Sequence, residues 1–164
     1  MTPRYAGTIK KQNKAQQKLF YVDNNLPTAP FTRFAYASEI QDAIDNGGLS
    51  YPFVWKAARF GYDGNGVKIV RSADDLNNLP KGECIAEALI PFKNELSVIV
   101  SRSPKGEIKA YPVVEMEFHP EANQVEYVIC PARIEDHVAD KARKVALQVA
   151  NEFDFVGLLA VEMF

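Results

Sequence analysis

Cysteine and histidine are scarce, with two of each in 164 residues. Cys84 and Cys130 stand far apart, with no CxxC and no clustered histidine, so they carry no zinc or redox motif. They read as reduced core thiols of a cytosolic chain, with a disulfide or a metal pair as the alternative. An excess of one charge is also missing, because 19 Lys+Arg face 21 Asp+Glu. That balance offers no basic footprint for nucleic acid. No apolar run approaches the ~20 residues that span a bilayer, and residues 1–14 lack the apolar stretch of a signal peptide. No internal repeat or low-complexity tract is present. The expectation is a cytoplasmic chain with no nucleic-acid and no membrane partner.

What the sequence does have is 47% apolar residues, enough to core one domain or two small lobes. Helix formers fill residues 12–24 up to an Asn24-Asn25 stop. Residues 26–30, Leu-Pro-Thr-Ala-Pro, form an extended connector, since proline disfavours helix in the residue before it. A short strand is expected over residues 31–36. The string Ser38-Glu39-Ile40-Gln41 has the form of a capping box and opens a helix that Gly47-Gly48 closes. Strands follow at residues 52–57 and 67–71, then a short helix from Ser72 ending before Pro80. Further strands are expected at residues 84–90, 95–102, 107–114 and 124–132. Over residues 135–153, Val138, Ala142, Val145, Val149 and Phe153 recur at helical spacing, and His137 sits on the surface at the start of that helix. The run 156–161 suits a buried strand. Strands and helices mix throughout, which predicts an α+β chain with antiparallel hairpins. The chain stops on Glu162-Met163-Phe164, directly after an apolar strand, and so reads as a piece of something longer; an abrupt native end is the alternative.

The densest chemistry lies between the strands at 52–57 and 67–71. Lys56 shares a side with Val54, while Phe53, Trp55 and Ala57 face the other way. The connecting loop is Gly61-Tyr62-Asp63-Gly64-Asn65-Gly66. Three glycines in six residues allow positive φ values and bring backbone N–H groups close to a polyphosphate, and a lysine beside the loop adds a point charge for phosphate oxygens. It is not a Walker A loop, because GxxxxGK[ST] is absent and no helix follows. The competing reading is an ordinary hairpin turn, since Asp63-Gly64 and Asn65-Gly66 are common turn dipeptides. Trp55 and Phe92 read as packing residues, with adenine stacking as the alternative.

The order of strings around that loop resembles the ATP-grasp superfamily. Within it the sequence is most similar to 5-(carboxyamino)imidazole ribonucleotide synthases, the ATPase subunit of phosphoribosylaminoimidazole carboxylase. The strings are LPTAPF at 26–31, GYDGNG at 61–66, EALIPFKNELSV at 87–98, YPVVE at 111–115 and VGLLAVEMF at 156–164, so the likeness runs from about Gln12 onward. It implies an ATP-grasp fold with a lead-in helix region at 1–25, a small lid subdomain at 26–88 and the first part of a truncated large subdomain at 89–164.

Position by position, the resemblance assigns Lys56 and Lys14 to nucleotide phosphates. At Lys14 relatives usually place an arginine, so the charge is kept but the bidentate fork is not. Gly61, Tyr62, Asp63, Gly64, Asn65, Gly66 and Val67 become the phosphate-covering loop, although relatives often have Gln where Val67 stands. Tyr62 and Asp63 would face the reacting centre. Glu87, Ala88, Leu89 and Ile90 become the strand that reads adenine, Glu95 the acceptor for ribose hydroxyls, and Glu162 a Mg2+ ligand. After YPVVE the relatives run Asn-x-His, whereas this chain runs Met-Glu-Phe-His, so His119 takes a nucleotide-side role only with a one-residue adjustment. The implied parent is a purine-biosynthesis ligase using ATP, Mg2+ and bicarbonate to carboxylate 5-aminoimidazole ribonucleotide through carboxyphosphate. The family is commonly dimeric, which implies a homodimer. Another ATP-grasp carboxylate-amine ligase, a non-catalytic nucleotide-binding domain and a ligand-free interaction module are the alternatives.

Overall fold

The apolar residues that alternate along residues 53–57 and 84–88 have one physical outlet, a sheet with two differently covered faces. The structure is a computed structural model and describes residues 13–59, 66–119 and 124–164. The chain divides into two compact units, the first running to Ile90 and the second from Pro91 to Phe164.

In the first unit, helix α1 (Lys14–Asp23) is capped by Asn13, whose side chain accepts from Gln16 N. It is followed by β1 (Phe31–Phe34), α2 (Glu39–Asp45), β2 (Phe53–Ala57), β3 (Val67–Val70), α3 (Ala73–Leu76) and β4 (Cys84–Ala88). The four strands form one antiparallel sheet in the order β1-β4-β2-β3. On one face Phe34, Ile40, Phe53, Trp55, Val70, Cys84 and Ala86 make the core. On the other, Ala15 of α1 packs with Ile85 and Ala58. An alanine at this point lets the helix backbone come close to the sheet, and Lys14 N donates to Ala58 O at 2.8 Å.

The expected capping box at Ser38 does not form. Ser38 is itself in the helical region, with φ −64° and ψ −22°, and its side chain caps nothing. The Glu39 carboxylate takes over, accepting from Ala35 N at 2.9 Å and Tyr36 N at 3.4 Å. Cys84 is buried but Cys130 is exposed, so only one of the two expected core thiols is in a core.

The second unit holds β5 (Glu95–Arg102), β6 (Ile108–Ala110), β7 (Val114–Phe118), β8 (Val125–Ile129), α4 (Asp136–Glu152) and β9 (Gly157–Met163). All its strand pairs are antiparallel, with β5 pairing β6 and β7 along one edge and β9 along the other. The single strand expected at 107–114 is two short ones. Pro112 has no N–H to donate and breaks the ladder between them, so β6 pairs with the end of β5 and β7 with its start. Leu96, Val98 and Val100 of β5, Val161 of β9 and Ala142, Ala146, Val149 and Ala150 of α4 are buried. Arg102 closes the C-terminal end of α4. Its Nη1 donates to Ala150 O and Asn151 O, and its Nη2 lies 2.7 Å from Asp154 Oδ1. A cation there complements the helix dipole and satisfies terminal carbonyls. Strand β9 is not the buried strand its composition suggested. Val161 is buried, but Leu158 on the opposite face is 64% exposed.

Candidate nucleotide site

Strand pairing sets the site in the first unit. Glu87 lies opposite Val54, and Lys56 opposite Ile85 and Val67. Opposed residues and their i+2 neighbours share a face, so Glu87, Lys56 and Ile85 all point to the face that α1 covers. Residues four apart on a helix project together, and Lys14 and Lys18 of α1 turn toward the same point.

Glu87 is 2% exposed. Lys56 Nζ lies 2.7 Å from its Oε2 and Lys18 Nζ 2.9 Å from its Oε1. Oε1 has this charge partner but no aligned hydrogen bond. Lys18 Nζ also donates to Thr28 Oγ1 at 2.6 Å and sits 5.9 Å from the centre of the Phe31 ring. Burial lowers the Lys14 pKa, with the nearby Lys56 ammonium adding to the effect and Glu87 opposing it. Burial also lowers the Lys18 pKa, and Glu87 opposes this too. The result is a cationic face, largely out of water, built around one carboxylate. Such a surface favours an anion, because the low local dielectric strengthens each charge contact.

Lys14, Lys56 and Glu87, singled out from the sequence at three separate places, are therefore together. Lys18 was missed, although its spacing of four from Lys14 within a helix was a usable signal. The Glu87 carboxylate, which the resemblance puts in the adenine-reading strand, is held by two ammonium groups. Ala88 N donates to Pro30 O at 2.9 Å. Beyond it, Leu89 and Ile90 leave the strand, and among the described residues neither backbone makes a hydrogen bond.

The two strands expected on either side of the glycine loop pair antiparallel, β2 with β3. Gly66 has φ +100°, where a side chain is strained, and its carbonyl accepts from Ala57 N at 2.9 Å. Val67 opens β3 opposite Lys56. Gly61, Tyr62, Asp63, Gly64 and Asn65 lie outside the described residues.

In the second unit, Ser97 pairs with Glu162 and Glu95 is two residues before Ser97, so Glu95 and Glu162 share the face opposite α4. Glu162 is exposed and Glu95 half-buried. His119 N donates to Gln124 O at 2.8 Å, which extends the β7–β8 ladder by one residue. On the period of two, His119 then falls with Glu115 and Glu117, and not on the side of Glu95. The bulge between Glu117 and Phe118 puts its extra residue in β8, where Tyr127 and Val125 are the successive partners. It therefore leaves the alternation of β7 unchanged.

Glu115, in the YPVVE string, is a structural carboxylate. It is 5% exposed, accepts from Arg133 Nε at 3.0 Å and Asn94 Nδ2 at 2.7 Å, and receives Arg133 N at 3.3 Å. The Arg133 guanidinium, followed by Asn94, holds its pKa down at about 2. Arg133 also pairs with Glu117. Trp55 is core, as expected, whereas Phe92 is half exposed and packs on Phe164 with ring centres 5.1 Å apart. No helix among the described residues is long and apolar enough to cross a membrane.

A protein-family model described as ATP-grasp domain matches residues 19–164. N5-carboxyaminoimidazole ribonucleotide synthase of Bacillus subtilis is 36% identical over 157 residues, covering 93% of this chain and 40% of the relative. The carboxyaminoimidazole ribonucleotide synthase of Aspergillus clavatus, solved in complex with ATP, superposes with a TM-score of 0.88 at 32% identity, over 99% of this chain and 43% of that one. The same enzyme from that organism, solved with ADP and 5-aminoimidazole ribonucleotide, gives 0.85 at 29% identity, over 99% and 43%. The chain spans about 40% of the length of these relatives. With a family match over residues 19–164 and Lys56 on the expected antiparallel sheet, the chain belongs to the ATP-grasp family.

Proposed function

We propose that this chain is the ATP-binding segment of a ligase that carboxylates 5-aminoimidazole ribonucleotide with bicarbonate and MgATP. The observation that carries the nucleotide reading is the cationic face of the first unit, where Lys14 and Lys56 stand beside the buried Glu87. The choice of substrate is supported by the relatives, one of which was solved with ADP and 5-aminoimidazole ribonucleotide.

In this reading Lys14 and Lys56 bind phosphate oxygens, and the loop from Gly61 through Gly64 and Asn65 to Gly66 and Val67 covers them and excludes water. Tyr62 and Asp63 orient the imidazole. Ala88, Leu89 and Ile90 read adenine through backbone groups, while Glu87 acts through the lysines it holds. Glu95 accepts ribose hydroxyls, whereas His119, on the other face of its sheet, takes no nucleotide role in this reading. Glu162 is one donor to Mg2+. Such an ion takes one or two carboxylates and completes its shell with water and phosphate oxygens. Bound there, Mg2+ supplies charge neutralisation at the phosphates. The protein positions the reactants: bicarbonate attacks the γ-phosphate as ADP leaves, and the resulting carboxyphosphate gives its carboxyl group to the amine, which loses a proton as inorganic phosphate leaves. We place the parent in the cytoplasm as a homodimer.

Phosphate release by the full-length enzyme carrying this segment should require both bicarbonate and 5-aminoimidazole ribonucleotide. Turnover with another carboxylate–amine pair and none with these two would move the chain to a different ATP-grasp ligase. These 164 residues alone should show little turnover, and bicarbonate-dependent ATPase activity from them would overturn that expectation.

A further inference from the structure

The two lysines on Glu87 are held differently. Lys18 has three restraints: the Glu87 carboxylate at 2.9 Å, the Thr28 hydroxyl at 2.6 Å and the Phe31 ring. Its side chain is 14% exposed, against 22% for Lys56. Lys56 stands near the end of β2 and pairs with the Glu87 carboxylate at 2.7 Å. Glu87 itself is almost wholly buried. A buried carboxylate that loses its counter-ion is strongly destabilised, so Lys56 can leave Glu87 for a phosphate oxygen only if another cation stays behind.

We propose that Lys18 is a positioning residue for nucleotide phosphate: it remains on Glu87 as a fixed counter-ion and so frees Lys56 to move onto the phosphate. This rests on the reading that Lys56 binds phosphate. Lys18 acts through Glu87 and Lys56 and touches no nucleotide itself. Without it, Lys56 is the one ammonium group among the described residues still in ion-pair distance of that carboxylate, and it is held there.

The test is isothermal titration of the 164-residue chain with MgATP and, separately, with adenosine. The quantity read is the ratio of the two affinities, which isolates the phosphate contribution. Lys18→Gln should lower that ratio about tenfold or more, the order expected when a buried charge pair is broken, with adenosine affinity unchanged. Lys18→Arg should restore the ratio to within about threefold. A purely structural role would weaken both ligands together or neither, and an unchanged ratio in Lys18→Gln would overturn the proposal. If Lys18→Gln does not fold, Thr28→Val removes one tether and leaves the charge. A lowered ratio then supports the proposal and an unchanged ratio overturns it. Wild-type chain that binds MgATP no better than adenosine would instead overturn the phosphate reading itself.

Discussion

Glu87→Gln offers the most direct check on the electrostatics of the first unit. The substitution keeps shape and removes the negative charge that faces Lys18 and Lys56 at 2.9 and 2.7 Å. Breaking a fully buried ion pair by removing one partner costs about 3–5 kcal/mol. Here the two lysine side chains keep 14% and 22% exposure, so water and side-chain motion relieve part of the repulsion. A loss of about 2–3 kcal/mol is therefore expected. For a unit of this size, with a urea dependence of ~1–2 kcal/mol per molar, the midpoint should fall by roughly 1–3 M.

Trp55 is the sole tryptophan and is 1% exposed in β2, so its fluorescence follows unfolding of this unit. A second arm separates charge from packing. Replacing Glu87, Lys18 and Lys56 together by Leu, Met and Met leaves no orphaned charge, and most of the stability should return. A Glu87→Gln midpoint within ~0.3 M of wild type would refute the reasoning, because it would mean that the pairs contribute no more than exposed ones do.

Two further outcomes follow from the geometry. Glu115, with its carboxyl held at about 2 against an ordinary 4.5, binds protons less readily when folded. Its contribution is thus complete above 4.5 and disappears as the pH falls through about 2; Glu115→Gln should weaken the second unit at neutral pH and flatten its acid transition over that window, read by hydrogen exchange in β5 and β7. At the start of α2, Glu39→Ala should cost ~0.5–1.5 kcal/mol by removing the acceptor for two backbone N–H groups. Ser38→Ala should leave the Trp55 midpoint unchanged, and the reverse order would restore the capping box expected from the sequence.

The sequence by itself carried most of the element order, because periodicity and turn chemistry are local. The strand expected at 95–102 is β5, Glu95–Arg102, and the helix expected at 135–153 is Asp136–Glu152. Its local readings failed where a neighbour decided the matter. Ser38 has the right residue type for a cap, yet the chain enters the helix with Ser38 already helical and Glu39 better placed. The apolar run at 156–161 does not reveal that only one face of β9 meets α4. The motifs also named Lys14, Lys56 and Glu87 one at a time, from three segments. Only strand register and the packing of α1 brought them to one point, added Lys18 to them, and turned a carboxylate that could have been solvated into a buried counter-ion. Burial and pairing are long-range properties, set by which surfaces meet, and no single segment contains them.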